Sequence, residues 1–280
     1  MKRILTALFF CLTLSSCSSQ FAYNNLDWLA YWYIDDYIDL DKSQKKEFDV
    51  HLAGWLSWHR QDELQKYKAH LQGIRQRLSE GPYSQEEILN EFDAGRAHWE
   101  RLRNKLSPEL SQFAVHLNEQ QVASLFDELA EQNQEWEEEL AERKESEYLE
   151  NRIEDMEDGL KEYIGKLTLK QKNIIQDYAP QFISNSAEWL KYRRHIQAKA
   201  KALFEHRAEN PEFTTELLQL MTNPEQYRHD TLNNNSDNNR RHYASFLADI
   251  SATLTPKQEK RIFRKIDNLI EDLQDLIDDA

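Results

Sequence analysis

Apolar residues recur in steps of three and four along most of this chain. Leu64, Tyr67, Leu71, Ile74 and Leu78 form one such series, and Leu149, Ile153, Met156, Leu160, Tyr163 and Leu167 a second. A third runs through Ile262, Ile266, Leu269, Leu273 and Leu276, flanked by Phe263, Ile270 and Ile277. At about 3.6 residues per turn, each series falls on one stripe of a helix. A stripe of that kind must be covered by another element. A chain made almost wholly of such stripes is expected to be all-α, a multi-helix bundle.

Composition agrees. Glycine and proline number only six each in 280 residues, while Leu, Glu, Gln, Lys and Ala abound, which favours helix over strand. The length allows a large core without covalent staples. Fifty acidic residues against 35 basic ones give a net charge of −15. That balance argues against nucleic acid as a partner, since its recognition needs a basic face. It equally opposes lying flat on anionic lipid. After the first residues, no segment approaches the roughly 18 apolar residues of a spanning helix.

Helix starts are legible. Ser84 precedes Glu87 by three, a capping box. Ser107-Pro108, Asn210-Pro211 and Asn223-Pro224 each set a cap residue before a proline at the first helical position. Pro180 is expected to end or kink a helix. Short linkers are expected at 79–83 and 104–106, and a mobile loop over the Asn/Ser/Asp run 233–239. No proline lies between Pro108 and Pro180, so 119–165 is expected as one nearly continuous helix, weakest at Gly159 and Gly165.

Four short stretches share a shape: Leu40-Asp41-x-x-Gln44, Leu117-Asn118-x-x-Gln121, Leu167-Thr168-x-x-Gln171 and Leu254-Thr255-x-x-Gln258. A capping box explains every residue type in the pattern, with the leucine packing into the core. The pattern also resembles the Leu-Thr-x-x-Gln motifs of Spy-type periplasmic chaperones, helical proteins that cradle unfolded clients. Trp58-His59-Arg60 follows the first stretch and Trp189-x-x-x-Arg193-Arg194 the third. The echo suggests two related helical halves, 25–150 and 151–280, or one continuous domain built from them.

The chain opens with Lys2 and Arg3, an apolar run from Ile4 to Leu14, and Leu14-Ser15-Ser16-Cys17. A basic start, a short apolar segment and small residues at its end describe a secretory signal. Leu-Ser-Ser-Cys resembles the lipobox of bacterial lipoproteins. The resemblance implies removal of residues 1–16, acylation of Cys17 and a short tether over 17–24. The alternative is an ordinary secretory signal with an incidental cysteine. Two or three acyl chains on one residue would hold the protein on a membrane, where a single chain holds weakly. Ser18, where Asp would retain a Gram-negative lipoprotein in the inner membrane, implies the inner leaflet of the outer membrane, facing the periplasm. Cys11 leaves with the signal, so no disulfide is expected.

The stretch from Phe21 to Leu40 is dense in Trp, Tyr and Asp. Together with Trp58-His59-Arg60 it resembles an uncharacterised family of Gram-negative lipoproteins in which an Asn-Asn-Leu-Asp-Trp-Leu-like segment follows the lipobox. The resemblance implies location and helical character, and no activity. On a helix, Leu26, Leu29, Tyr33 and Tyr37 share one face and Trp28, Tyr31 and Trp32 another, so the segment is expected to be wrapped by neighbours. The alternative is an interfacial aromatic belt, which Asp27, Asp35, Asp36 and Asp39 oppose. If wrapped, Asp35 and Asp36 need cations, and Arg60, Arg193 and Arg194 are the candidates, with His59 beside them. Such a cluster would be structural or the floor of a cleft.

Other chemistry is sparse. The nine histidines form no His-x-x-x-His pair; His51 and His59 are eight apart, and His59 and Glu63 four apart. Neither a metal nor a cofactor is expected, and no catalytic residue is named. Fifteen carboxylates between Asp127 and Asp158 face only Arg143, Lys144 and Arg152, the pattern of a solvated helix face. The expected protein is therefore a non-catalytic, lipid-anchored helical factor that binds an envelope protein. The alternatives are a periplasmic holdase and, third, a cell-envelope hydrolase.

Overall fold

Five helices begin with the same device. Asp41, Ser84, Asn118, Thr168 and Thr255 each accept a hydrogen bond from the backbone N–H three residues on, and the Gln or Glu there accepts one from the cap's own N–H. Each box satisfies donors that a helix start otherwise leaves open. In this computed structural model, residues 22–279 are described, apart from the side chains of 145–147. The expected signal, Cys17 and most of the tether lie outside the described residues.

The helices are α1 (Leu26–Ile34), α2 (Lys42–Trp58), α3 (Leu64–Ser79), α4 (Gln85–Phe113), α5 (Glu119–Glu142), α6 (Glu145–Ile164), α7 (Leu169–Tyr178), α8 (Ser186–Glu205), α9 (Phe213–Thr222), α10 (Asp230–Ser251) and α11 (Pro256–Asp278). A wide π turn, His59–Glu63, joins α2 to α3. Among the described residues there is no strand, so the fold is all-α and multi-helical, as expected.

Helix α11 runs against α3, α4 is flanked by α9 and α10, and α8 lies on α5. The largest core gathers Phe48, Leu52 and Trp55 of α2, Phe113, Val122 and Phe126, and Phe204, Phe213 and Leu217. A second holds Ile164, Leu167, Ile175, Phe246 and Ile250. Each buried side chain of this size contributes roughly 1.5–3 kcal/mol relative to exposure. Stretches on both sides of residue 150 build the first core together.

The four Leu-x-x-x-Gln stretches meet in two pairs. Gln44 Nε2 donates to Gln121 Oε1 at 3.0 Å, and Gln121 Nε2 returns a bond to Gln44 Oε1 at 2.7 Å. Gln44 also donates to the carbonyl of His116, and Gln121 to that of Asp39. Each of those carbonyls belongs to the residue just before the partner's motif leucine. Thus each box caps its own helix and ties the segment entering its partner box to it, which a capping role alone does not require.

Four expectations are corrected. The Asn-rich run 233–239 is helical, inside α10. Leu232 is fully buried, Asn239 accepts from the Ile183 N–H and donates to its carbonyl, and Asn185 bonds Ser236. These contacts override weak helix propensity. Pro108 lies within α4, not at a start, with Ser107 Oγ donating to the Arg103 carbonyl and Ser111 Oγ to that of Pro108. The expected linker 104–106 is therefore helix. The 119–165 helix is broken at Arg143 and Lys144, both extended. The last turn of α5 has no basic residue against its carboxylates, the wrong charge for a helix C-terminus.

The fourth correction concerns α1. It is not wrapped: none of its residues is buried, and Trp28, Trp32 and Tyr33 are 62%, 53% and 44% exposed. Only Ala30, Tyr31 and Ile34 press on the core. Tyr31 fastens that side, its hydroxyl donating to Asp49 Oδ1 at 2.6 Å.

Candidate functional site

The apolar stripe of α2 (Phe48, Leu52, Trp55) would next reach His59 and Glu63 at regular helical spacing. The π turn inserts one extra residue there, rotating the chain so that the buried stripe resumes at Leu64. Such turns recur at functional sites. Glu63, at the end of the turn beside Leu64, is fully buried.

A buried carboxylate requires cations. Arg101 Nε and Lys66 Nζ both donate to Glu63 Oε1 at 2.7 Å. Burial pushes this carboxyl up, but the bonds and charges of Arg101 and Lys66 outweigh it and hold it down at about 2. His98 Nδ1 lies 3.6 Å from Glu63. Arg101 also donates through Nη2 to His98 Nδ1. A guanidinium has only donors, so His98 Nδ1 accepts and its Nε2 carries the proton. That proton points to His70 Nδ1 at 3.0 Å, and His70 Nε2 then donates to Glu91 at 2.7 Å. The result is a one-way chain, Arg101 to His98 to His70 to Glu91, with both imidazoles neutral. Burial, then the Arg101 charge, lowers the His98 pKa in keeping with this.

The same turn grips the start of the described chain. Tyr23 Oη meets His59 Nδ1 at 2.9 Å, Arg60 Nη2 donates to Asn24 Oδ1 at 2.8 Å, and the Arg60 guanidinium lies 5.0 Å from the Tyr23 ring centre. Arg60 also donates to the carbonyls of Leu276 and Asp279, pinning the end of α11.

The structure does not gather the six residues singled out in the sequence. They stay in their three sequence pairs, and of these only His59 and Arg60 share a partner, Tyr23. Arg193 donates to Gln132 and Arg194 pairs with Glu137 at 2.7 Å. Asp35 and Asp36 are exposed, and no ion pair joins either to Arg60, Arg193 or Arg194 among the described residues. With α1 open on one side, these carboxylates stay in water and need no buried cation. Glu63 was noted only as four residues from His59, and Lys66, His70, Glu91, His98 and Arg101 went unrecognised. Their signal was present as two polar stripes, 63/66/70 and 91/98/101, which sequence alone cannot tell from solvated helix faces. Among the described residues, no three His, Cys, Asp or Glu side chains are grouped to hold a metal ion.

What remains outward is the aromatic face of α1. Trp28 and Trp32 are four apart, one turn of helix, with Tyr33 beside them. Asp27, Asp35 and Asp36 rim this face, all exposed and without an ion pair among the described residues.

Residues 36–231 match a family of unknown function, DUF6279. Among curated proteins and among solved structures, nothing matches the chain.

Proposed function

We propose that this chain, which belongs to the DUF6279 family of unknown function, is a lipid-anchored periplasmic protein that docks an envelope protein through the outer face of α1 and catalyses no reaction. The observation that carries this reading is the exposure of two tryptophans one helical turn apart, 62% and 53%. Trp and Tyr are enriched among the residues that dominate binding energy at interfaces. The carboxylates of Asp27, Asp35 and Asp36 around them select a partner with an apolar centre and a basic rim. The same charges disfavour seating α1 in an anionic headgroup layer.

The lipobox-like Leu14-Ser15-Ser16-Cys17 supplies the anchor in this reading. Tyr23 is clamped to the π turn, and at most about 20 Å of extended chain separates it from Cys17. The docking face would therefore work close to the membrane. The charged groups of the π-turn network are engaged with one another, which suits a rigid mount for α1 better than chemistry on a substrate.

The test places a photo-crosslinking amino acid at position 28 in the full chain in cells, with position 169, 76% exposed on α7, as control. One discrete envelope-protein adduct from position 28, absent from position 169, is expected. Adducts to lipid alone, or the same pattern from both positions, would overturn the docking reading. Labelled palmitate, incorporated by the natural chain and lost in Cys17→Ala, tests the anchor separately.

A further inference from the structure

The apolar stripe of α6 (Ile153, Met156, Leu160, Tyr163) stays only partly covered, with Tyr163 39% exposed. A cavity of about 630 Å³ lies beside it, lined by Ile74, Leu78, Phe92, Met156, Leu160 and Phe246 among others. That volume lies within the roughly 300–1,000 Å³ of ligand pockets. A second cavity, about 860 Å³, adjoins it, and Arg152, Asp155 and Tyr243 line both.

The second cavity is chemically unlike the first. Arg143, Arg152 and Arg240 line it, beside Lys144, which is itself engaged, and the carboxylate Asp155. In a chain with fifteen more acidic than basic residues, this is a local inversion of charge. Arg240 is matched by Asp93 at 2.7 Å. Arg143 and Arg152 carry no ion pair among the described residues. Arg152 is held in place, its guanidinium 4.3 Å from the Tyr148 ring centre and 5.5 Å from that of Phe182, with Nη1 donating to the Phe182 carbonyl. Burial lowers its pKa, with the nearby Asp155 charge opposing.

From this juxtaposition we infer that the two cavities form one binding site for a single-chain anionic amphiphile, its hydrocarbon tail among α3, α4, α6 and α10 and its head against Arg143 and Arg152. An apolar cavity alone would take any greasy molecule. An apolar cavity opening onto fixed cations selects a tail that ends in a carboxylate or phosphate. The two sources of that chemistry are a free fatty acid and a lysophospholipid. The site lies apart from α1 and does not depend on the docking reading.

Gly159 makes the test clean. It lines the tail cavity, and a Cβ built on it meets no atom within 4 Å. Gly159→Phe therefore sets a ring at the cavity wall without a backbone clash and removes a helix-weakening glycine from α6. Arg143 is exposed, and Arg143→Glu reverses one head-group charge without breaking an ion pair among the described residues. The full chain carrying Cys17→Ser, free of its own acyl chains, would be titrated calorimetrically below micellar concentrations. The probes are palmitate, palmitoyl-lysophosphatidylglycerol and uncharged monopalmitoylglycerol. Saturable binding of one anionic probe or both is expected, and which of them binds identifies the source. The uncharged probe should bind at least about tenfold more weakly, the scale of one lost charge-assisted contact. Arg143→Glu should weaken anionic binding, and Gly159→Phe should abolish it with helicity and Tm preserved. No saturable binding, equal affinity for the uncharged probe, or undiminished binding by folded Gly159→Phe would each overturn the inference.

Discussion

The side-chain amides of Gln171 and Gln258, 87 residues apart in sequence, bond each other in both directions at 2.9 Å. Each also donates to a backbone carbonyl, Thr253 for Gln171 and Lys166 for Gln258, and accepts from its own cap's N–H. Two donors and two acceptor positions are thus filled on both amides, the full capacity of the group. Gln171 is wholly buried and Gln258 4% exposed, so any vacancy has no water to fill it. Gln171→Ala is expected to cost about 3 kcal/mol, since it strands buried donors and acceptors on the partner. Gln171→Ala with Gln258→Ala should cost less than the sum of the single changes, by about 1 kcal/mol or more. Urea unfolding of the four proteins measures this cycle, and strict additivity would contradict the pairing.

Acid should act on Glu63. Its carboxyl sits at about 2 in the folded protein against an ordinary value of 4.5. A folded-state pKa lowered in this way adds stability above the unfolded value, and that stability is lost as pH falls toward the folded one. The contribution is about 3 kcal/mol at neutral pH, fading between pH 4.5 and 2. His98, also lowered, works with the same sign, its share fading below its ordinary 6.5. Unfolding curves at a series of pH values should show Glu63→Gln less stable than the natural protein at pH 7 and converging with it in acid. A constant difference down to pH 3 would refute the assignment.

Two glycines of opposite kind give a third test. Gly165 ends α6 with φ of +80° and ψ of −141°, a positive-φ extended conformation nearly confined to glycine that costs about 1–3 kcal/mol in other residues. Its added Cβ would lie 3.4 Å from Arg261 Cδ, an ordinary contact, so backbone strain alone sets the expected loss. Gly95 sits inside α4 with open space around it, and Gly95→Ala should gain roughly 0.5–1 kcal/mol. Thermal melts should therefore move in opposite directions for Gly165→Ala and Gly95→Ala. Shifts of the same sign would mean that neither local argument holds.

Period and caps were legible in the sequence because they depend on residues three or four apart. The stripes of α3, α6 and α11 and the boxes at Asp41, Ser84, Asn118, Thr168 and Thr255 all have that range. The pairing of the boxes was half legible: the spacings 77 and 87 stood in the chain, but not that partners would touch. What failed needed tertiary knowledge. The Asn-rich run reads as loop until Leu232 and Asn239 find α10's neighbours. Asp35 and Asp36 looked in need of cations only because α1 was expected to be enclosed. Glu63 was hidden because its spacing from Trp55 and His59 suits a surface pair as well as a buried stripe, and only the fold shows Arg101 and Lys66 closing over it.

Helix α1 offers the sharpest separation of stability from binding, because its two faces do different work. Tyr31 packs on Phe48, ring centres 5.6 Å apart and nearly edge-on, and its hydroxyl bonds Asp49 and the Lys45 carbonyl. Tyr31→Ala should cost about 3 kcal/mol by leaving a cavity over the core and an acceptor without its donor. Trp28 and Trp32 keep 62% and 53% of their surface in water, so Trp28→Ala with Trp32→Ala should cost less than Tyr31→Ala, about 1–2 kcal/mol. If the outer face docks a partner, the same double change should still remove the adduct formed by a crosslinker placed at position 33. Chemical unfolding and crosslinking on the same preparations check both halves. A large stability loss in the tryptophan variant would show that the indoles belong to the fold. An intact adduct in a stable variant would show that docking does not use them.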